Sequence, residues 1–244
     1  MKAIILAAGM ASRLRPLTSN TPKCLLKVGE RCLLQRSIDA LKGNGIKDFT
    51  IVTGYLHEMI EDFVGEHYGD SINVTYIYNS VYDSTNNIYS LWLARPEAEN
   101  EEVLLLDSDL LYDPQIITKV LDAEDDNVLT LIQHELGEEE MKVCVNEEGV
   151  ITEINKTCRV EDALGESLGI EKMGKEYTKA LYAELEPMMN DEHLENVFYE
   201  RAFERLIPKG HTFNMLNVTE LFSCELDTVE DFENAKAKIP AELF

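Results

Sequence analysis

The opening of this chain constrains it most. Lys2–Leu6 is a short apolar run that predicts a buried strand, and it leads into Ala7-Ala8-Gly9-Met10-Ala11-Ser12-Arg13-Leu14-Arg15-Pro16-Leu17-Thr18, closing with Thr21-Pro22-Lys23. A loop leaving a strand is where an open α/β sheet binds its ligands. Ala7, Ala8, Gly9 and Ala11 carry little or no side chain, so a ligand can lie against the backbone. Amides in such a loop can point at phosphate oxygens. Arg13, Arg15 and Lys23 add fixed positive charge, and small residues followed by guanidinium and ammonium groups suit a triphosphate. Gly/Ala-rich turns after a first strand also occur in α/β proteins that bind no nucleotide, so the case rests on the arginines and Pro-Lys at this spacing.

Two other phosphate loops are excluded. No G-x-x-x-x-G-K-[ST] occurs, and G-x-G-x-x-G fails because Gly9 is followed by Ala11 and Leu14. Ala11 is expected at a negative φ, or in a slightly widened loop, because a left-handed alanine costs about 1 kcal/mol or more.

The 244 residues fit one domain, 1–244, with a nucleotide-binding half over about 1–125 and an acceptor-binding half over about 126–244. A net charge of −24 argues against nucleic acid and against an anionic membrane surface as partners. In so acidic a chain any anion site must be locally basic. Five cysteines, at 24, 32, 144, 158 and 224, show no C-x-x-C and no even framework, which predicts reduced thiols rather than disulfides or zinc. With no secretory leader and no 18-residue apolar run, a cytoplasmic protein is expected. The reading allows a homodimer.

Along the chain, a short strand is expected over Cys24–Val28. Leu33, Leu34, Ile38 and Leu41 then mark a helix ending at Gly43-Asn44-Gly45. Asp48–Thr53 and Ile72–Tyr78 read as strands flanking a helix over Glu58–Tyr68, with Met59, Ile60, Phe63 and Val64 inward. This β-α-β-α-β order predicts parallel strands with right-handed crossovers. Ser84-Thr85-Asn86-Asn87 opens a helix whose Ile88, Leu91 and Trp92 should face the core. Val103–Leu106 is a buried strand running into Asp107-Ser108-Asp109. Acids at that end of a central strand sit at the ligand crevice, where a hard divalent cation finds oxygen ligands. An Asx turn capping the next helix, at Asp113-Pro114, would account for Asp107 or Asp113, and less well for Asp109.

The second half is richer in sheet, with strands over Val128–Ile132, Lys142–Val145 and Val150–Asn155. Gly165–Ile170 reads as a loop feeding a further strand. Two helices follow, with core stripes at Leu181, Leu185 and Met188 and at Leu194, Val197, Phe198 and Phe203. Tyr177 and Tyr182 are placed on the acceptor side, among the acids Glu138, Glu139, Glu140, Glu161, Asp162 and Glu166. Glu220–Glu225 should form the last strand, with Thr228 and Asp231 boxing the start of the last helix.

The opening loop with Thr21-Pro22-Lys23, the Asp107–Asp109 turn and Leu226–Glu233 together resemble the nucleotidyltransferase superfamily. Its members include sugar-1-phosphate nucleotidyltransferases and bacterial phosphocholine cytidylyltransferases. Asn86-Asn87-Ile88-Tyr89-Ser90-Leu91 resembles the phosphocholine cytidylyltransferase branch. The fold implied is a three-layer α/β/α sandwich around a mostly parallel, mixed sheet, Rossmann-like and GT-A-like.

The resemblance assigns Lys23, Arg13 and Asp109 to catalysis, and Asp109 and Asp227, with Glu225 as accessory, to Mg2+. Nucleotide contacts fall to Leu6, Ala7, Ala8, Gly9, Met10, Ala11, Ser12, Arg13, Lys23, Asn87, Ser90 and Asp107. Acceptor contacts fall to Asn86, Tyr89, Lys156, Glu166 and Gly169, although Lys156 also reads as an ordinary surface lysine.

The implied reaction transfers CMP from CTP to a small phosphate or phosphonate such as phosphocholine, phosphoethanolamine or 2-aminoethylphosphonate. Alternatives are transfer to glucose 1-phosphate from dTTP or UTP, and a non-catalytic nucleotide-binding homologue. A dinucleotide binder of the dehydrogenase kind is disfavoured by the failed fingerprint and by Ile51-Val52-Thr53, which ends without an acid.

Overall fold

The computed structural model describes residues 1–243. Strand β1 (Lys2–Ala7) lies inside the sheet, and its alternation decides both faces. Ala3, Ile5 and Ala7 turn into one core and Ile4 and Leu6 into another, all buried. A strand apolar on both faces must be covered on both.

After β1 come helical turns at Ser12–Leu14 and Lys23–Leu25, then a minimal hairpin, β2 (Lys27–Val28) with β3 (Arg31–Cys32). The strand expected over Cys24–Val28 is reduced to its last two residues. Pro22 starts a turn there, and the amides of Leu25 and Leu26 bond back to the carbonyls of Pro22 and Lys23. Helix α1 (Leu33–Gly43), β4 (Asp48–Thr53), α2 (His57–Tyr68) and β5 (Asn73–Tyr78) follow as expected, with β1, β4 and β5 parallel neighbours. Met59 corrects the helix reading. It is 40% exposed, because Ile60, Val64 and Tyr68 take the inward stripe.

Helices α3 (Asn87–Leu93) and α4 (Arg95–Ala98) lead to β6 (Val103–Asp107), which pairs in parallel with the other edge of β1. Trp92 is only half-buried, with the Arg95 guanidinium 5.1 Å above its ring. Then come β7 (Leu110–Tyr112), α5 (Gln115–Asp122) and β8 (Val128–Ile132), and after them the antiparallel pair β9 (Lys142–Val145) and β10 (Ile151–Asn155). Asp113 caps α5, accepting from the Gln115 amide at 2.9 Å.

The long strand β11 (Ala163–Met173) pairs with β6, β8 and β9, all antiparallel. The loop expected at Gly165–Ile170 lies inside this strand, broken by register shifts rather than released from the sheet. Helices α6 (Lys175–Asn190) and α7 (Glu200–Leu206), strands β12 (Asn214–Asn217) and β13 (Ser223–Glu225), and helix α8 (Val229–Lys238) complete the chain. The last strand is thus shorter than Glu220–Glu225. The box at α8 is complete: Thr228 Oγ1 accepts from the Asp231 amide and Asp231 accepts from that of Thr228.

The main sheet has nine strands, ordered β10-β9-β11-β6-β1-β4-β5, with β8 and β12 branching from β11. Residues of α1, α2 and α5 pack in the core on one face, and those of α3, α6 and α7 in the core on the other. This is the three-layer α/β/α sandwich expected. Tyr177 and Tyr182, expected beside the acceptor, are fully buried in the second core, where helical spacing on α6 carries them inward. A third core joins Leu14, Leu26 and Leu111 to Leu226, Phe232 and Ile239, and so draws the end of the chain onto the opening loop.

Candidate active site

The carboxyl ends of β1 and β6, the start of α3 and the entry to α8 enclose a cavity of about 380 Å³. Leu6, Ala7, Ala8, Gly9, Ala11, Arg13 and Lys23 line it from the opening loop. Asn86, Asn87 and Ser90 come from α3, Asp107 and Asp109 from the turn after β6, and Lys156, Glu166, Glu225 and Asp227 from the second half. Met10, Ser12, Tyr89 and Gly169 do not line it.

The loop is shaped by Ala11, which corrects the expectation of a negative φ. Its φ is +46°, left-handed, and its carbonyl accepts from the Leu14 amide and from Thr18 Oγ1 at 2.9 Å. Those two bonds close the turn that presents Arg13, and they hold the alanine in a conformation it would otherwise avoid.

Lys23 is the centre of the charge arrangement. Its Nζ donates to Asp109 Oδ2 at 2.8 Å and to Asp227 Oδ1 at 2.7 Å, and Arg13 Nη2 donates to Asp227 Oδ2 at 2.7 Å. Burial works against the Lys23 ammonium, but the two carboxylates outweigh it and hold its pKa above the ordinary value. Burial also works against Asp227, and Lys23 with Arg13 outweighs it, leaving this carboxylate below its usual range.

Glu225 differs. Burial, and then repulsion from Asp109, Glu166 and Asp227, push it up to about 8. Carboxylates therefore exceed cations here. Asp109, Asp227 and Glu225 offer hard oxygen donors with no imidazole or thiol among them, and that donor set fits Mg2+. Among the described residues no three such side chains gather closely enough to cage an ion by themselves. The ion's remaining positions would fall to phosphate oxygens and water.

Asp107 plays another part. It faces Gly169, whose φ is +77° and where a Cβ would stand 2.8 Å from Asp107 Oδ2. Gly169 is thus a bulge that admits Asp107. The Tyr199 hydroxyl donates to the same Oδ2 at 3.0 Å. Burial, and then Asp109, Glu200 and Glu171, push Asp107 well above the usual range.

Several lining residues were not read from the sequence as site residues: Cys24, Asn79, Tyr82, Thr85, Ser108, Met141, Phe198 and Glu200; Glu139, placed among the acids of the acceptor side, also lines the cavity. Asn79 had a signal, since it is the first residue after β5. Its Nδ2 donates to Thr85 Oγ1 and Ser90 Oγ, each at 3.2 Å, pinning the entry to α3. Phe198 was expected in the core, but it is 40% exposed at the cavity wall with the Lys156 Nζ 4.6 Å from its ring centroid. It falls before α7 begins, so the helical stripe does not extend to it. The Asn pair is partly committed to backbone: Asn86 Oδ1 accepts from the Asn87 amide and Asn87 Oδ1 from the Tyr199 amide. The Lys156 carbonyl accepts from the buried Lys142 ammonium at 2.8 Å. Glu166 pairs with His134 Nε2 at 2.6 Å, at the boundary with a second, adjoining cavity of about 590 Å³.

All five cysteines are free thiols, and no described helix is long and apolar enough to cross a membrane.

A choline-phosphate cytidylyltransferase of Streptococcus pneumoniae is 46% identical over 108 residues, 44% of this chain and 45% of that one, so the match spans less than half of either. A CTP:phosphoglutamine cytidylyltransferase of Campylobacter jejuni is 25% identical over 96% of this chain and 98% of its own. Among solved structures, the CTP:phosphocholine cytidylyltransferase of Streptococcus pneumoniae superposes with a TM-score of 0.78 over 97% of both chains at 24% identity, a likeness of fold. Residues 2–141, which hold the opening loop, Lys23 and the Asp107–Asp109 turn, match the nucleotidyl transferase family model, and the chain belongs to that family.

Proposed function

We propose that this chain transfers CMP from CTP to a small phosphate or phosphonate that carries an amine, such as phosphocholine, phosphoethanolamine or 2-aminoethylphosphonate, and releases pyrophosphate. The observation that carries the reading is the convergence of Lys23 and Arg13 with Asp109 and Asp227 on one cavity, from both ends of the sequence. The cytidylyl donor is supported by relatives whose names specify cytidylyl transfer.

The acceptor phosphate has a second pKa of about 6, so it is already a dianion near neutral pH and needs no general base. Its oxygen attacks the α-phosphorus of CTP while the bond from that phosphorus to the bridging oxygen of pyrophosphate breaks. Catalysis then requires alignment and neutralisation of charge. Lys23 exchanges carboxylate oxygens for those of the α-phosphate as charge builds there, and Arg13 holds the outer phosphates. Ala7, Ala8 and Gly9 leave the backbone open to the base. Mg2+ held by Asp109 and Asp227 would supply Lewis-acid neutralisation of the same charge. Lys156 and Glu166 serve the acceptor, whereas Tyr89 and Gly169, which stand off the cavity, drop out of that set. On this reading the nucleotide belongs to residues of about 1–125 and the acceptor to the remainder. Five free thiols suit the reducing cytoplasm.

Pyrophosphate release over a matrix of nucleoside triphosphates and acceptors tests the reading. CTP with an amine-bearing phosphate or phosphonate should give the highest kcat/KM. A sugar 1-phosphate preferred about tenfold over every amine acceptor would overturn it.

A further inference from the structure

Phe198 and Glu200 stand together at the acceptor end of the cavity, and the nucleotide chemistry uses neither. Phe198 leaves much of a large aromatic side chain open to the cavity. Glu200 is only 5% exposed, yet its Oε2 is buried with no hydrogen-bond partner among the described residues. A buried carboxylate oxygen without a donor is unfavourable, and on a residue that lines the cavity it marks a side chain whose bonding a seated ligand can complete.

The neighbourhood already favours cations. The Lys156 ammonium lies 4.6 Å from the centroid of the Phe198 ring. Burial pushes Glu200 up to about 7, and the charge of Lys156 pulls the other way. Asp107 and Glu171 lie close enough to Glu200 to be pushed up in turn. Lys156 thus covers an aromatic face and tempers a carboxylate. In the proposed reaction its ammonium is wanted by the acceptor phosphate. Once it turns there, the ring and Glu200 Oε2 are left to the other end of the acceptor.

We propose that Phe198 and Glu200 form the seat of a protonated amine on the acceptor, the ring face taking its charge and Glu200 Oε2 accepting one of its N–H bonds. A trimethylated nitrogen can satisfy the ring but has no hydrogen for the carboxylate. The chain therefore selects phosphates bearing a primary ammonium over choline-like ones. This rests on the transfer reading above.

The test measures kcat/KM for pyrophosphate release from CTP with phosphoethanolamine, phosphocholine and n-propyl phosphate. The last matches phosphoethanolamine in shape but lacks the charge. The full chain should prefer phosphoethanolamine to n-propyl phosphate by about tenfold or more, and to phosphocholine as well. Glu200→Gln should shrink the first preference by about tenfold. Phe198→Leu, at a half-exposed position that should not threaten folding, should shrink it by about threefold. The KM for CTP in each variant reports on the rest of the site. A wild-type preference near one, equal losses for both acceptors in the variants, or a preference for phosphocholine would each overturn the amine seat. Absence of transfer to every acceptor would instead overturn the reading on which it rests.

Discussion

Asp107 and Asp109 are separated by one serine, yet they belong to two opposite electrostatic regimes. Asp109 stands with Asp227 around Lys23, with Arg13 beside them, so negative charge is met by positive charge at hydrogen-bond distance. Asp107, on the wall of the same cavity, lies close to the buried Glu171 and Glu200 and meets a tyrosine hydroxyl instead of a cation. Compensated charges at a crevice can be exchanged: an ammonium can leave a carboxylate for a phosphate because each partner finds another. Uncompensated carboxylates in low dielectric hold protons, and they serve as hydrogen-bonded framework or wait for a cationic ligand. Chemistry is therefore expected of the first cluster. The second should set stability and choice of acceptor.

The largest effects should fall on the compensated cluster. Lys23→Ala should lower kcat by about 10²–10³-fold with a smaller change in the KM for CTP. Asp109→Asn and Asp227→Asn should each lower kcat comparably, as should removal of divalent metal by EDTA, while circular dichroism stays unchanged. Wild-type turnover in EDTA, or a Lys23 effect confined to KM, would break the division.

The second cluster should announce itself in stability against pH. Glu200 has a folded pKa of about 7 against an ordinary 4.5, so the folded chain holds a proton that the unfolded chain has released. That contribution is fully present below pH 4.5 and is lost as pH rises through 7. Urea unfolding at the two ends of this window should show wild type losing up to about 3 kcal/mol relative to Glu200→Gln. Parallel behaviour of the two proteins would show that Glu200 is not held neutral.

A smaller effect separates Arg13 from Lys23. Arg13 is the more exposed of the two, so Arg13→Ala should raise the KM for CTP by about tenfold and leave kcat less affected. An unchanged KM would detach Arg13 from the phosphates. The smallest concerns the turn that carries it. Ala11→Gly removes a left-handed strain of roughly 1–2 kcal/mol, partly offset by the freedom glycine adds to the unfolded chain. A rise in Tm of about 2 °C is expected, and a fall would show that the alanine is not strained.

The sequence by itself determined the frame and half of the site. Apolar runs with period two or 3.6 dictate strands and helices wherever both ends of the pattern stay local, and so β4, α1 and α2 followed from it, as did the box at Thr228 and Asp231. The Lys23 loop was legible because basic residues stand out in an acidic chain, Asp109 because it follows an apolar strand, and Asp227 only through the family resemblance. Tertiary structure decided what depends on distant partners. It joined Asp227 to Lys23 across the sequence, put Ala11 at a positive φ through Thr18, and folded Gly165–Ile170 into β11 because β6, β8 and β9 all offer it hydrogen bonds. It carried Tyr177 and Tyr182 into the core and turned Phe198 out to the cavity. Aromatic residues read alike in either place from their spacing, and only the packing of neighbours sets which face is wet. The same holds for Asp107 and Asp109: both line one cavity, yet Asp107 meets the Tyr199 hydroxyl and Asp109 the Lys23 ammonium, and the dielectric each meets is made by residues far away in the chain.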